Sequence, residues 1–90
     1  MVRHYEIKIS GQVQGVGFRY SAKQMADRLT IRGNAQNLSD GSLLIRAEGE
    51  PEKLEQFLLW CRHGPDKARV SNIEYREREI KHYGQFEKIA

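Results

Sequence analysis

The sequence predicts an α+β domain in which one antiparallel sheet carries two helices on a single face. Three observations lead there. Apolar and polar residues alternate over residues 4–9 and again in later stretches. Apolar residues recur at helical spacing in two separate segments. The two patterns follow one another in the order β-α-β-β-α-β, with room for a short strand at the end.

Tyr5, Ile7 and Ile9 alternate with His4, Glu6 and Lys8. The first strand is therefore expected to be half-buried, with His4, Glu6 and Lys8 facing water. Residues 10–17 hold Gly11, Gly15 and Gly17 and read as a loop, since glycine weakens helix and strand alike. From about Phe18 the period changes: Ala22, Met25, Ala26 and Leu29 form one stripe of a helix. Residues 31–38 read as the second strand. Ser39-Asp40-Gly41-Ser42 reads as a tight hairpin, with Asp-Gly supplying positive φ angles. Leu43, Ile45 and Ala47 are the inward face of the third strand, which Gly49 ends.

Pro51 suits the first turn of a second helix, and Glu52 and Glu55 suit its positive end. Leu54, Phe57, Leu58 and Cys61 follow at i, i+3, i+4 and i+7, and Gly64-Pro65 stops the helix. Trp60 lies off that stripe, at the core edge. A fourth strand spans residues 70–79 with Val70, Ile73 and Tyr75 as apolar members, and residues 86–89 add an edge strand. This order is the ferredoxin-like split βαβ unit, and right-handed crossovers put both helices on one side of the sheet. With 90 residues and no linker or repeat, residues 1–90 are expected to form a single domain.

Composition narrows the function. Hydrophobic residues are 39% and charged residues 30% of the chain, which fits a globular protein. No apolar run approaches the ~20 residues that cross a bilayer, and the start of the chain has no signal-peptide core. Cys61 is the only cysteine, so no internal disulfide forms and a reducing cytoplasm is the expected setting. His4, His63 and His82 are scattered and give no metal-ligand spacing. The net charge of +3 favours anionic ligands. Acidic residues interleave with the basic ones, as in Arg76-Glu77-Arg78-Glu79, which is the pattern of a solvated face.

The chemistry points to the glycine-rich segment. A strand, a glycine loop and a helix in succession place several backbone N–H groups at a helix N-terminus, where an anion such as phosphate can bind. There is no Gly-Lys-Ser/Thr, so the loop is not of the nucleotide P-loop type. Tyr20 stands where a dinucleotide fingerprint needs its third glycine. Arg19 lies in the first turn, where the helix dipole disfavours a cation unless an anion is bound. Its guanidinium can fork onto two phosphoryl oxygens. On this pattern alone a simple turn and a surface arginine are open alternatives. Asn37, just before the hairpin, is equally open to a purely local backbone role. Ser21 and Cys61 are nucleophile types with no base beside them in sequence, and Cys61 sits on an apolar stripe.

The run Gly11-Gln12-Val13-Gln14-Gly15-Val16-Gly17-Phe18-Arg19 closely resembles the acylphosphatase signature. Gly33-Asn34-Ala35-Gln36-Asn37, followed by Asp40-Gly41, resembles the family's second element. Gly64-Pro65 and Ala68-Arg69-Val70 also fit, so the resemblance spans essentially the whole chain. It implies a metal-free, cofactor-free, monomeric hydrolase of acyl phosphates, with phosphate or a similar anion as product or inhibitor. It also implies that backbone N–H groups of Gln14, Gly15, Val16, Gly17, Phe18 and Arg19 form a phosphate cradle. Arg19 matches the family's substrate-binding arginine and Asn37 its water-holding asparagine. Tyr20, next to Arg19, is placed to brush the acyl group.

The chain departs from the family pattern at four positions. Ala22 stands where a hydroxyl residue is common and Asn34 where a larger residue is common. Gln36 stands where a basic residue is frequent, and Lys88 where an apolar residue often ends the last strand. The alternatives are a ferredoxin-like module that binds an anion without turnover, or one that binds RNA. RNA is disfavoured because residues 43–48, a central strand, lack the aromatic block such modules use. Neither a membrane nor a nucleic acid is an expected partner.

Overall fold

The computed structural model describes residues 1–89. Its elements run β1 (Arg3–Gln12), α1 (Phe18–Arg28), β2 (Arg32–Asn37), β3 (Leu43–Gly49), α2 (Pro51–Cys61), β4 (Arg69–Arg78) and β5 (Phe86–Ile89). The strands form one sheet in the order β4-β1-β3-β2-β5. The first four are antiparallel to their neighbours, as the split βαβ order requires. β5 adds itself parallel to β2, which makes the complete sheet mixed.

The core follows the period-2 and period-3.6 patterns. Ile7, Ile9, Ala35, Leu43, Ile45 and Ala47 line the covered face of the sheet, all with no exposed surface. Against them pack Phe18, Ala22 and Ala26 of α1 and Leu54, Phe57, Leu58 and Cys61 of α2. Trp60 closes the edge, with its ring centroid 5.4 Å from Phe18 and 6.0 Å from Phe57. Gly33 is buried where β2 crosses β3. A Cβ there would lie 1.8 Å from the Arg46 carbonyl oxygen, and φ is +144°, so no other residue fits without moving the strand. Asn34 and Gln36 emerge on the opposite face, where both side-chain oxygens accept hydrogen bonds from Arg46 Nη1, at 2.9 and 3.1 Å.

Several expectations are corrected. β1 does not stop at Ile9 but runs to Gln12. A bulge between Ser10 and Gly11 lets glycine stay in the ladder, where φ of Gly11 is +125°. β2 is shorter than residues 31–38. At the Asp40-Gly41 turn only Gly41 takes positive φ. Asp40 contributes instead through its carboxylate, which accepts from the hydroxyl and from the N–H of Ser42. Those bonds, aided by Lys8, hold its carboxyl at about 2. Tyr75 is 48% exposed, because β4 is an edge strand whose outer part no helix reaches.

The largest correction concerns His4, which is buried rather than solvated. Residues 79–85 fold as a strap over the otherwise open face of the sheet. Two groups from the sheet anchor this strap. His4 Nδ1 donates to the carbonyl of Glu79 at 2.7 Å. The buried Glu48 carboxylate accepts from the N–H of Lys81 and from the N–H of Tyr83, the latter at 3.1 Å. The strap ends in β5 and so fixes where that strand meets the site.

Candidate active site

Three elements converge at one end of the sheet. β1 delivers the chain into a short loop, residues 13–17, and the loop delivers it into α1. Gly17 is the N-cap of α1 with a left-handed φ of 77°, and no side chain caps the helix. The first intrahelical bond runs from the Ser21 N–H to the Gly17 carbonyl at 3.0 Å. The N–H groups of Phe18, Arg19 and Tyr20 therefore have no acceptor within the helix. No acidic residue occupies the first turn. Phe18 pins the helix start in the core, and Gly64 lies against its ring.

A cavity of about 90 Å³ opens above this helix end, lined by Val13, Gly15, Gly17, Phe18, Arg19, Tyr20, Asn37 and Lys88. That is the volume of about three waters, which suits a small group rather than a nucleotide. Among the described residues, two cations and no carboxylate line it. Arg19 Nη1 donates to the carbonyl oxygen of Ile89, so the end of β5 holds the guanidinium in place. Among the described residues no carboxylate pairs with Arg19. Asn37 is the last residue of β2, opposite Leu43 of β3. It arrives from the other side of the cavity on rigid ladder backbone.

The expected site residues divide into two groups. Gly15, Gly17, Phe18, Arg19 and Asn37 line the cavity. Gln14 and Val16 are not part of its lining, and both support it from behind. Val16 packs on the core. The Gln14 amide donates to the carbonyls of Leu38 and Ser42 at 2.7 and 2.9 Å. One side chain thus ties the loop to the turn that follows Asn37. The spacing of residues 14 and 38 carries no signal for that brace. Val13 and Lys88 join the lining, and Lys88 is legible in the sequence only as a departure from an apolar position.

Other candidates fall away on position. Cys61 is fully buried and burial pushes its thiol up, which leaves no thiolate for nucleophilic use. Ser21 is absent from the lining. Among the described residues, no three His, Cys, Asp or Glu side chains gather as a metal site. Nor, among the described residues, is any helix long and apolar enough to cross a membrane.

A family model for acylphosphatase matches residues 5–88. The chain belongs to the acylphosphatase family. The acylphosphatase of Archaeoglobus fulgidus is 45% identical over 91% of this chain and 92% of its own length. That of Paraburkholderia xenovorans is 39% identical over 97% of this chain and 91% of its own. Among solved structures, an acylphosphatase from Bacillus subtilis superposes with a TM-score of 0.94 at 33% identity, covering both chains completely. The acylphosphatase fold therefore accounts for all seven elements, including the parallel β5. The chain is accordingly a hydrolase that acts on acyl phosphates.

Proposed function

We propose that the phosphoryl group of an acyl phosphate sits on the backbone N–H groups of Gly15, Gly17, Phe18 and Arg19 and on the Arg19 guanidinium, with the attacking water placed by Asn37. One observation carries this reading: Arg19 and Asn37, from different elements, line one small cavity beside an uncapped helix N-terminus. The water oxygen bonds to phosphorus as the bond from phosphorus to the acyl oxygen breaks. The electron pair leaves with the carboxylate, which is a good leaving group and needs no strong acid. One water proton passes to a phosphoryl oxygen of the substrate and the other stays on the new phosphate oxygen. Charge on the three equatorial oxygens is met by fixed donors, each worth about 3 kcal/mol when preorganised.

Asn37 offers a carbonyl that accepts from water and an amide that donates. Its role is orientation, since an amide is a poor base. Asn37→Ala is expected to lower kcat on benzoyl phosphate about a hundredfold with little change in KM, measured with a chelator present. Asn37→Asp is expected to be no faster than Asn37→Ala, because a carboxylate repels the phosphoryl group. A large gain in the Asp variant contradicts the water-holder role. The same reading makes inorganic phosphate a product that competes for the loop, and makes the enzyme a cytoplasmic monomer. A single, buried cysteine with no disulfide partner in the chain supports the cytoplasmic part.

A further inference from the structure

Lys88 is the one charged cavity residue among the described residues that the proposed chemistry does not use. It lies opposite Ala35 in the β2–β5 pairing and shares the helix-side face of β5 with Phe86. Phe86 is buried, but Lys88 is exposed and lines the cavity from its rim. It makes no ion pair or side-chain hydrogen bond among the described residues. The neighbouring Glu87 points to the other face of the strand.

From this placement we propose that Lys88 is a specificity residue, selecting acyl phosphates whose acyl part carries a second anionic group. The inference rests on the phosphoryl position proposed above. Once the phosphoryl group is seated on the loop and Arg19, the part of the substrate left at the rim is the acyl group. The phosphoryl oxygens already have the loop donors and a guanidinium. A solvent-exposed ammonium on a flexible stem serves the mouth better than the floor. Tyr20, 60% exposed and lining the same cavity, offers an aromatic face to the same part of the substrate. The rim thus joins a cation to an apolar surface and fits an acyl group that has both features. The attraction acts across solvent, so it is moderate and weakens with salt.

The test compares kcat/KM for benzoyl phosphate with that for 3- and 4-carboxybenzoyl phosphate. Lys88→Met is expected to lower kcat/KM for the carboxylated substrates about fivefold to tenfold, with benzoyl phosphate changed less than about twofold. Lys88→Glu is expected to widen that gap, and high salt to narrow the difference between wild type and Lys88→Met. Equal losses on both substrate types overturn the inference, since Lys88 then serves the phosphoryl group. No change on any of them overturns it as well. Arg19→Ala, run alongside, separates the two readings. If it abolishes turnover while the Lys88 variants behave alike on all substrates, only this inference fails. If it leaves benzoyl phosphate turnover intact, the phosphoryl site itself is misplaced and the inference falls with it.

Discussion

Replacing Arg19 by alanine is expected to cut kcat/KM on benzoyl phosphate about a thousandfold while changing stability by no more than ~1 kcal/mol. The two effects have different origins. In the proposed chemistry the guanidinium supplies forked, charge-assisted donors to an anion in a small cavity, and charge-assisted bonds are about twice as strong as neutral ones. In folding, its hydrogen bond to the Ile89 carbonyl favours the native state by about 1 kcal/mol. Its place at the positive end of α1 opposes that by about 0.3–1 kcal/mol. The terms nearly cancel. Steady-state kinetics beside urea denaturation checks both halves. Arg19→Lys keeps the charge but loses the fork, and about a hundredfold loss is expected to remain. An arginine that was only structural would move stability and leave kcat/KM nearly unchanged.

The second large effect lies away from the cavity. Glu48→Ala is expected to cost about 3–5 kcal/mol, because it strips a buried carboxylate from the N–H groups of Lys81 and Tyr83 and from the side of His4. A domain of this size has only about 5–13 kcal/mol in total. The melting temperature should fall by about 15–30 °C. Glu48→Gln keeps one acceptor and is expected to lose about 2 kcal/mol. The strap leads into β5, and β5 carries both the carbonyl that holds Arg19 and Lys88. Hydrogen exchange at the Lys81 and Tyr83 amides should therefore accelerate first. Activity of the surviving folded protein should drop more than for a core variant of equal stability loss. Unchanged stability in Glu48→Ala contradicts the anchoring role.

The strap is also where the sequence was least legible. His4 alternates with Tyr5 and Ile7 as a solvent residue should, and period 2 places it correctly on the face away from the helices. Its burial depends on a carbonyl 75 residues away, and no local pattern encodes that contact. The same reason hid the Gln14 brace, whose acceptors lie 24 and 28 residues on. The bulge at Gly11 is not legible in the sequence because glycine reads as loop wherever it occurs, and only pairing with β4 distinguishes a bulge from a turn. What was legible rests on short-range physics. The Leu54–Cys61 stripe, the Leu43–Ala47 alternation and the Pro51 and Gly64-Pro65 stops all appear as read. Arg19 and Asn37 illustrate both sides. Each alone had a reasonable structural alternative, and two motifs at matching spacing were needed to bring them to one cavity.

The central claim is that water attacks phosphorus within the cavity built from the loop, Arg19 and Asn37. Hydrolysis of benzoyl phosphate in water enriched in oxygen-18 tests it directly, with mass analysis of both products. The account predicts one labelled oxygen in the phosphate and none in the benzoate, since the bond broken is the one from phosphorus to the acyl oxygen. Label in the benzoate would mean attack at the acyl carbon and would contradict the account.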